Sequence, residues 1–424
     1  IGGRSAVPGL RPGYPARLMP NPVPDDTFDV TGIGHSDQQW LRARLEELER
    51  IDRPSASAGE LQAAEWLKAR FEELGADARI ETEPAHGTYW WPIGIGTFAG
   101  MLGGLAAAAG RRLAGAVLGV FGSAVIARDF PPHSRPMRRL LAKRSTHNVV
   151  CELGDPEATR TVVFVSHHDA AHAGLIFHPG IPKLVAKTGL FTKLDTSPML
   201  MAPVMGGPVL AVVAAVTGSK KLAKLAAVLS AGSTVAMVDI GMRKVVPGAN
   251  DNGTAVVALL ELARRFLAEP PEGIRVILLS TGSEESFSEG MKAFGERHFD
   301  ELPKESTFFA SIDTVGSPHL TVLRGEGFLK MYEYQPEALA LVDGLAAEMD
   351  IELFPNLRIR NGTDGLESLA AGYQTVSICS CTEHKQPANY HWPNDISANV
   401  DFGTVDEAIR LSEAIARRLG RYWP

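Results

Sequence analysis

Four long stretches of this chain carry no charged side chain, and they come in two pairs. Residues 84–110 (PAHGTYWWPIGIGTFAGMLGGLAAAAG) lead through Arg111 and Arg112 into residues 113–127 (LAGAVLGVFGSAVIA). Residues 196–219 (TSPMLMAPVMGGPVLAVVAAVTGS) lead through Lys220, Lys221 and Lys224 into residues 225–238 (LAAVLSAGSTVAMV). Apolar surface on this scale has to be covered, because leaving it in water costs roughly 25 cal/mol per Å². Each pair has the pattern of a helical hairpin with a basic tip. The first arm of each reaches the ~20 apolar residues that cross a bilayer, and the second arms are shorter. Gly96, Gly100 and Gly104 recur at four-residue spacing, as do Gly115 and Gly119, which suits helices packed closely in lipid. We therefore expect contact with membrane lipids through residues 92–127 and 198–240, by a full span or a shallow, tilted insertion. The competing reading is a pair of arms buried between copies of a homo-oligomer, and two such hairpins in one chain favour lipid.

The remainder alternates between two periodicities. Helical spacing runs through SDQQWLRARLEELERI, with Ser36 placed to cap it, and through LQAAEWLKARFEELGA up to Gly75. DARIETE, HNVVCEL (147–153), TVVFVS (161–166), IRVILLST (274–281) and TFFASID (307–313) read as strands, and residues 251–268 and 288–299 as helices. Strands alternating with helices form an α/β sheet covered on both faces. Residues 1–35, rich in Pro and Gly, read as an extended leader, and the opening Ile1 as a missing or processed start. A net charge of −7, with no basic stripe among aromatics, excludes a general nucleic-acid binder. Three cysteines cannot frame a disulfide-built fold and read as buried thiols.

The chemistry gathers at strand ends. VVFVSHHDAAHAG (162–174) closes a strand with His167 and Asp169 on one face and His168 on the other, because side chains alternate. That offers an imidazole to a metal, with a carboxylate to orient it. PGANDNGTAVVALLELARRF sets Asp251 in a Gly-rich turn before a helix, where a carboxylate can bridge two cations. LLSTGSEES puts Glu284 and Glu285 straight after a strand, so that one can bind metal while the other reaches a water. FFASIDTVG ends a strand on Asp313, and ANYHWPND supplies Tyr390 and His391. Two imidazoles and three carboxylates suit a pair of zinc ions sharing Asp251. Each piece alone has an ordinary explanation (a helix cap, a solvated turn, a satisfied histidine), but their joint order does not. His168 reads as structural and His172 as a loop histidine.

These motifs, with RPSASAGELQAAEWLKARFEELG, HNVV and GTDGLESLAAGYQTVSI, resemble metallopeptidase family 28, the co-catalytic zinc peptidases. That family includes bacterial aminopeptidases, glutamate carboxypeptidase II and glutaminyl cyclases. The resemblance implies a three-layer α/β/α sandwich around a mixed, mostly parallel twisted sheet, as one domain over residues 36–424. It implies two Zn²⁺: one on His167 and Asp313, one on Glu285 and His391, with Asp251 bridging and Asp169 orienting His167. Glu284 is implied as general base, Tyr390 as a donor to the oxyanion, and Asp364 as a supporting residue. The departures are two insertions, residues 84–144 and 171–246, the second placing 81 residues between Asp169 and Asp251. They turn the expectation towards a membrane-associated hydrolase of a peptide or acyl-amide bond. The simplest form is an aminopeptidase acting on a lipophilic or membrane-delivered substrate. An amidase, deacylase or carboxypeptidase on the same centre is the alternative, and a non-catalytic membrane scaffold is the reading from another class. Eleven Lys and Arg flank the arms on the catalytic side against five at the tips. The positive-inside rule then places the catalytic domain in the cytoplasm, whereas the habit of the family points outside it.

Overall fold

The computed structural model describes residues 29–187, 194–199 and 201–423. Most of the expected leader, and Lys193 among the flanking bases, lie outside the described residues. The last part of that leader belongs to the domain instead: Val30 and Ile33 are buried, and His35 Nδ1 lies 2.6 Å from Asp406.

The central sheet holds β1 (Ala78–Ala85), β2 (Arg144–Gly154), β3 (Thr161–His167), β4 (Arg275–Thr281), β5 (Thr307–Asp313) and β6 (His319–Val322). A smaller one holds β7 (Gly325–Glu326), β8 (Tyr332–Glu333) and β9 (Arg358–Ile359), and β10 (Gln374–Cys381) completes the first. The large sheet is ordered β1-β2-β4-β3-β5-β10-β6. Its centre, β4-β3-β5-β10, is parallel, while β1, β2 and β6 join antiparallel. Covered on both faces, the central strands are apolar throughout rather than alternating with polar residues. Val162, Phe164, Leu278 and Phe308 enter one core, and Val163, Val165, Leu279 and Phe309 the other.

Helices α1 (Gln38–Leu48) and α2 (Ala58–Leu74) lie on the first face. The cap of α1 is Asp37, not Ser36. Its side chain accepts from the Gln39 and Trp40 N–H groups (2.9 and 3.2 Å), satisfying two donors at the helix start. Ser36 is buried and serves elsewhere, its hydroxyl accepting from Arg265. Ser57 caps α2, which stops at Gly75 with φ 91°.

The charge-free pairs fold into α3 (Trp90–Ala108) and α4 (Arg112–Asp129) and, after α5 (Gly180–Lys187), into α6 (Ala202–Thr217) and α7 (Lys220–Met242). The four long helices pack as one bundle. Its interior is built from small residues. A Cβ on Gly104 would sit 2.6 Å from the Ala227 nitrogen, and one on Gly122 2.4 Å from the Gly96 carbonyl oxygen. Backbones meet where side chains are missing, and the apolar bulk points outward. Seventeen of the 23 exposed large hydrophobic side chains among the described residues lie on these helices. Every helix contributes, as with Phe98, Leu113, Val216 and Val228, so the surface is a belt and not one patch. The expected arm lengths are reversed in the second hairpin. Ser219 caps α7 ahead of Lys220, so the lysines join a helix of 23 residues, whereas α6 starts late, beside Pro203, and has 16. α3 and α7 are long and apolar enough to cross a membrane.

The chain then returns to the sandwich. α8 (Thr254–Ala268), α10 (Pro336–Glu348) and α12 (Phe402–Arg421) complete the first face, and α9 (Glu289–His298) with α11 (Gly365–Ala371) covers the second. This is the three-layer α/β/α arrangement.

Candidate active site

Three adjacent parallel strands deliver their side chains to one edge. His167 ends β3, Asp313 ends β5, and Glu284 and Glu285 follow β4 across a turn in which Ser283 has φ 55°. The crevice beyond the carboxyl ends of such strands is where open α/β sheets place their sites. Asp251 comes from the turn Ala249–Gly253 ahead of α8, with a cis peptide to Asn252, and His391 from the loop after β10.

The structure brings all of these together. Asp251 faces both imidazoles, Oδ1 3.4 Å from His167 Nε2 and Oδ2 3.3 Å from His391 Nε2. Asp313 lies 3.9 Å from His167, and Glu285 3.1 Å from His391. Two triads share Asp251, His167–Asp251–Asp313 and Asp251–Glu285–His391, and a third group of donors is His167–Glu284–Glu285, each with its donor atoms within 4.8 Å. Glu284 stands beside the two triads, 3.9 Å from His167 Nε2.

Electrostatics show what such a set could hold. Burial, reinforced by Asp251 and Asp364 against the pull of His167, pushes Asp313 up to about 8. Burial also lifts Glu284 well above the usual carboxylate range and raises Glu285. Burial would lower His391, but Glu285 and Asp251 hold it at about 10. Glu285 Oε1 is buried with no hydrogen-bond partner. Crowded, desolvated carboxylates with imidazole nitrogens between them are a donor set for divalent cations, whose charge would relieve the repulsion.

Residues 215–416 match the sequence signature described as Peptidase family M28. That match, over just under half of the chain, supports an enzyme of the metallopeptidase type. The matched stretch contains Asp251, Glu284, Glu285, Asp313 and His391, while His167 and Asp169 precede it. No curated protein sequence matches the chain. Among solved structures, an aminopeptidase from Aneurinibacillus sp. strain AM-1 is similar at TM-score 0.56 and 13% identity, over 91% of this chain and 94% of that one. A glutaminyl cyclase from Bacteroides thetaiotaomicron gives 0.53 and 12%, over 92% and 100%. A Zn-dependent exopeptidase from Parabacteroides distasonis gives 0.52 and 12%, over 91% and 99%. At such identities the likeness is one of fold.

Asp169 does more than face His167 Nδ1 at 3.3 Å. It also accepts the N–H groups of Glu284 (3.0 Å) and Glu285 (3.1 Å) and the Ser55 hydroxyl (2.6 Å), so one carboxylate fixes both the imidazole and the acidic turn. Asp364 accepts from Thr281 at the end of β4, and burial raises it to about 7. His168 Nδ1 meets Ser280 Oγ at 3.1 Å, and burial holds the ring neutral, at about 3. His172 packs on Trp90 and meets the Arg243 carbonyl (2.6 Å), so it anchors the root of the bundle. The three cysteines are free and buried.

Sequence reasoning missed the residues that hold the frame. Arg53 is fully buried and donates to the carbonyls of His168 (2.8 Å), Pro247 (2.7 Å) and Gly248 (2.7 Å), stapling β3 to the Asp251 turn. Asp395 accepts from the N–H groups of Asn250 (2.8 Å) and Asp251 (3.1 Å). Glu60 accepts from Ser283 (2.6 Å). Asp395 stands in ANYHWPND and Arg53 in RPSASAGE, but their partners are mostly distant main-chain groups, which no local pattern announces.

A cavity opens over the frame, with Phe177, Met201 and Tyr390 on its walls. Tyr390 stacks on His391 at 3.8 Å between centroids and meets Phe177 edge-on at 5.7 Å. Phe177 packs in turn with Trp90, Ile93 and Met237, so an apolar seam joins the cavity wall to the bundle.

Proposed function

We propose that this chain is a membrane-embedded M28 hydrolase that cleaves an amide bond with two zinc ions and Glu284 as general base. The observation that carries this reading is the position of Asp251, with one oxygen towards each imidazole and a further acid on either flank. His167, Asp251 and Asp313 would hold one zinc, and Asp251, Glu285 and His391 the other. Bound zinc acidifies a water and polarises a carbonyl. Glu284, beside the frame and not required by either triad, takes the proton of the attacking water and passes it to the departing nitrogen. The C–O bond forms first, as the carbonyl oxygen takes up negative charge, and the C–N bond breaks when the adduct collapses with its nitrogen protonated. Asp169 keeps Glu284 in place through its backbone N–H. Tyr390 donates to the developing oxyanion. The aminopeptidase and exopeptidase names of the structural neighbours support the reaction class.

The bundle supports the membrane part. Its apolar belt runs over all four helices, which lipid covers and a flat oligomer contact does not. At ~1.5 Å per residue, α3 is roughly the ~30 Å of a hydrocarbon core. The flanking charge counts for less than the sequence implied. Arg138 is buried against Asp129 (2.8 Å), Arg135 against Glu367 (3.0 Å), and Arg243 pairs with Asp239 (2.7 Å). A cytoplasmic catalytic domain then rests, among the described residues, on Arg128, Arg139, Lys143, Arg144, Lys183, Lys187 and Lys244.

The test is Glu284→Gln in detergent-purified protein. Turnover of aminoacyl or acyl-amino-acid amides should fall about 10²- to 10⁴-fold while metal analysis still finds two zinc per chain. Activity surviving the substitution removes Glu284 from the reaction, and one zinc per chain removes the paired frame. A parent protein that binds no zinc returns the chain to the scaffold reading.

A further inference from the structure

One wall of the catalytic cavity is built by the second insertion. Its residues 195–197 run beside β9. The Arg358 N–H donates to the Asp195 carbonyl (2.8 Å), the Ser197 N–H to the Arg358 carbonyl (2.9 Å), and the Arg360 N–H to the Ser197 hydroxyl (3.2 Å). Ser197 and Arg360 both line the cavity. Other basic side chains nearby are matched: Arg358 pairs with Glu333 (3.0 Å), Arg324 with Asp343 (2.9 Å), and Lys385 donates to the Leu194 carbonyl. Arg360 differs. Among the described residues its guanidinium has no ion pair and no hydrogen bond, and its Nε is buried without a partner.

A permanently charged, partly desolvated guanidinium facing a catalytic cavity wants an anion, and its planar fork fits a carboxylate bidentately. The described residues supply none. The acids lining the cavity are Asp251, Glu284, Glu285 and Asp313, all of them in the zinc frame or beside it. The same lining holds the apolar Leu323, Leu357, Ile359 and Met201 among polar residues such as Ser197, Asn361 and Gln386.

We infer that Arg360 is the specificity-determining residue of this site and binds a free carboxylate of the substrate. The enzyme therefore hydrolyses amides whose amine half is an amino acid with its carboxylate free. The carboxylate sits at Arg360, and the apolar part of the substrate lies on the leucine, isoleucine and methionine walls. Water adds across the amide, the acyl carbon gains the oxygen, and the amino acid leaves with the proton on its nitrogen. This inference rests on the amide-hydrolase reading above and narrows it. Two substrate sources share the chemistry: an N-acyl amino acid, and a peptide cleaved at its C-terminal residue.

The test uses full-length, zinc-loaded protein in detergent and two matched pairs. One pair is N-decanoyl-leucine and N-decanoyl-leucinamide; the other is an apolar peptide with a free or an amidated C-terminus. At least one acid should exceed its amide in kcat/KM by about 10- to 100-fold, and the pair that does so identifies the source. Arg360→Ala should collapse the acid-over-amide ratio towards one, mainly through KM, and Arg360→Lys should restore part of it. Calorimetric binding of N-decanoyl-leucine and of the free-acid peptide to Glu284→Gln should show the same drop when Arg360→Ala is added, with no turnover needed. Equal rates on acid and amide, or a ratio that survives Arg360→Ala, overturns the inference. Cleavage confined to aminoacyl anilides with a free amine also overturns it and leaves the hydrolase reading intact. Arg360-dependent binding without turnover of any amide sinks the hydrolase reading and leaves the carboxylate site standing.

Discussion

Glu326 is a carboxyl that burial moves without any metal frame around it. It accepts from the Tyr334 hydroxyl and from the Thr363 N–H (2.6 Å), yet burial still pushes it up to about 7. The folded value lies above the unfolded one, so its contribution to stability is complete below the unfolded pKa and is lost as pH rises through about 7. Gln mimics the neutral form at every pH. The melting temperature of Glu326→Gln relative to the parent should therefore climb between pH 5 and 8, as read by scanning fluorimetry in detergent; a flat difference would show the carboxyl ionised throughout. At this scale the sequence was legible wherever a titratable residue ends an apolar run, which is why His167, Asp313 and the Glu284–Glu285 pair could be picked out together. Arg360 could not. It sits in the polar loop RIRNGTDG, and its meaning comes from Ser197, 163 positions earlier in the chain.

At the scale of elements, the glycines of the bundle separate packing from propensity. Gly104 and Gly232 are both helical, and replacing either with Ala gains up to ~1 kcal/mol of helix propensity. The Gly104 Cβ would meet the Ala227 nitrogen at 2.6 Å and the Ala223 carbonyl oxygen at 2.8 Å, whereas nothing lies within 4 Å of one at Gly232. Gly104→Ala should therefore destabilise by about 1–3 kcal/mol in micelles and Gly232→Ala should not, as measured by denaturant titration. Equal effects would mean that α3 and α7 do not touch there. The long strands were readable because both of their faces are buried, leaving continuous apolar runs. β7, β8 and β9 have two residues each and no period to read. The arms of the second hairpin were misjudged because charge marked their limits, whereas the cap at Ser219 and the proline at 203 set them.

At the scale of the whole molecule, the bundle and the catalytic domain share a wall, since Phe177 and Met201 belong to the cavity and to the packing at the bundle root. A chain anchored by such a belt should stay with membranes through an alkaline carbonate wash and leave only with detergent; release by carbonate would refute the membrane reading. Impermeant maleimide on intact cells should label Leu113→Cys at the tip and not Glu301→Cys on the catalytic surface, if the arms span with the catalytic domain inside. Which layers cover the sheet was legible in the alternation of elements. That the two insertions form one bundle was not, because nothing in either pair of runs names the other as its partner.

The root of the second insertion also sets an order in time. Ala171 and Ala173 bond to Val246 and Lys244 there, so the chain leaves the catalytic domain and re-enters it side by side. During synthesis His167 and Asp169 emerge before the hairpin, and Asp251, Glu285, Asp313 and His391 after it. On the membrane reading, the halves of the frame meet only when α6 and α7 have been seated. Until then a nascent chain holds an incomplete donor set.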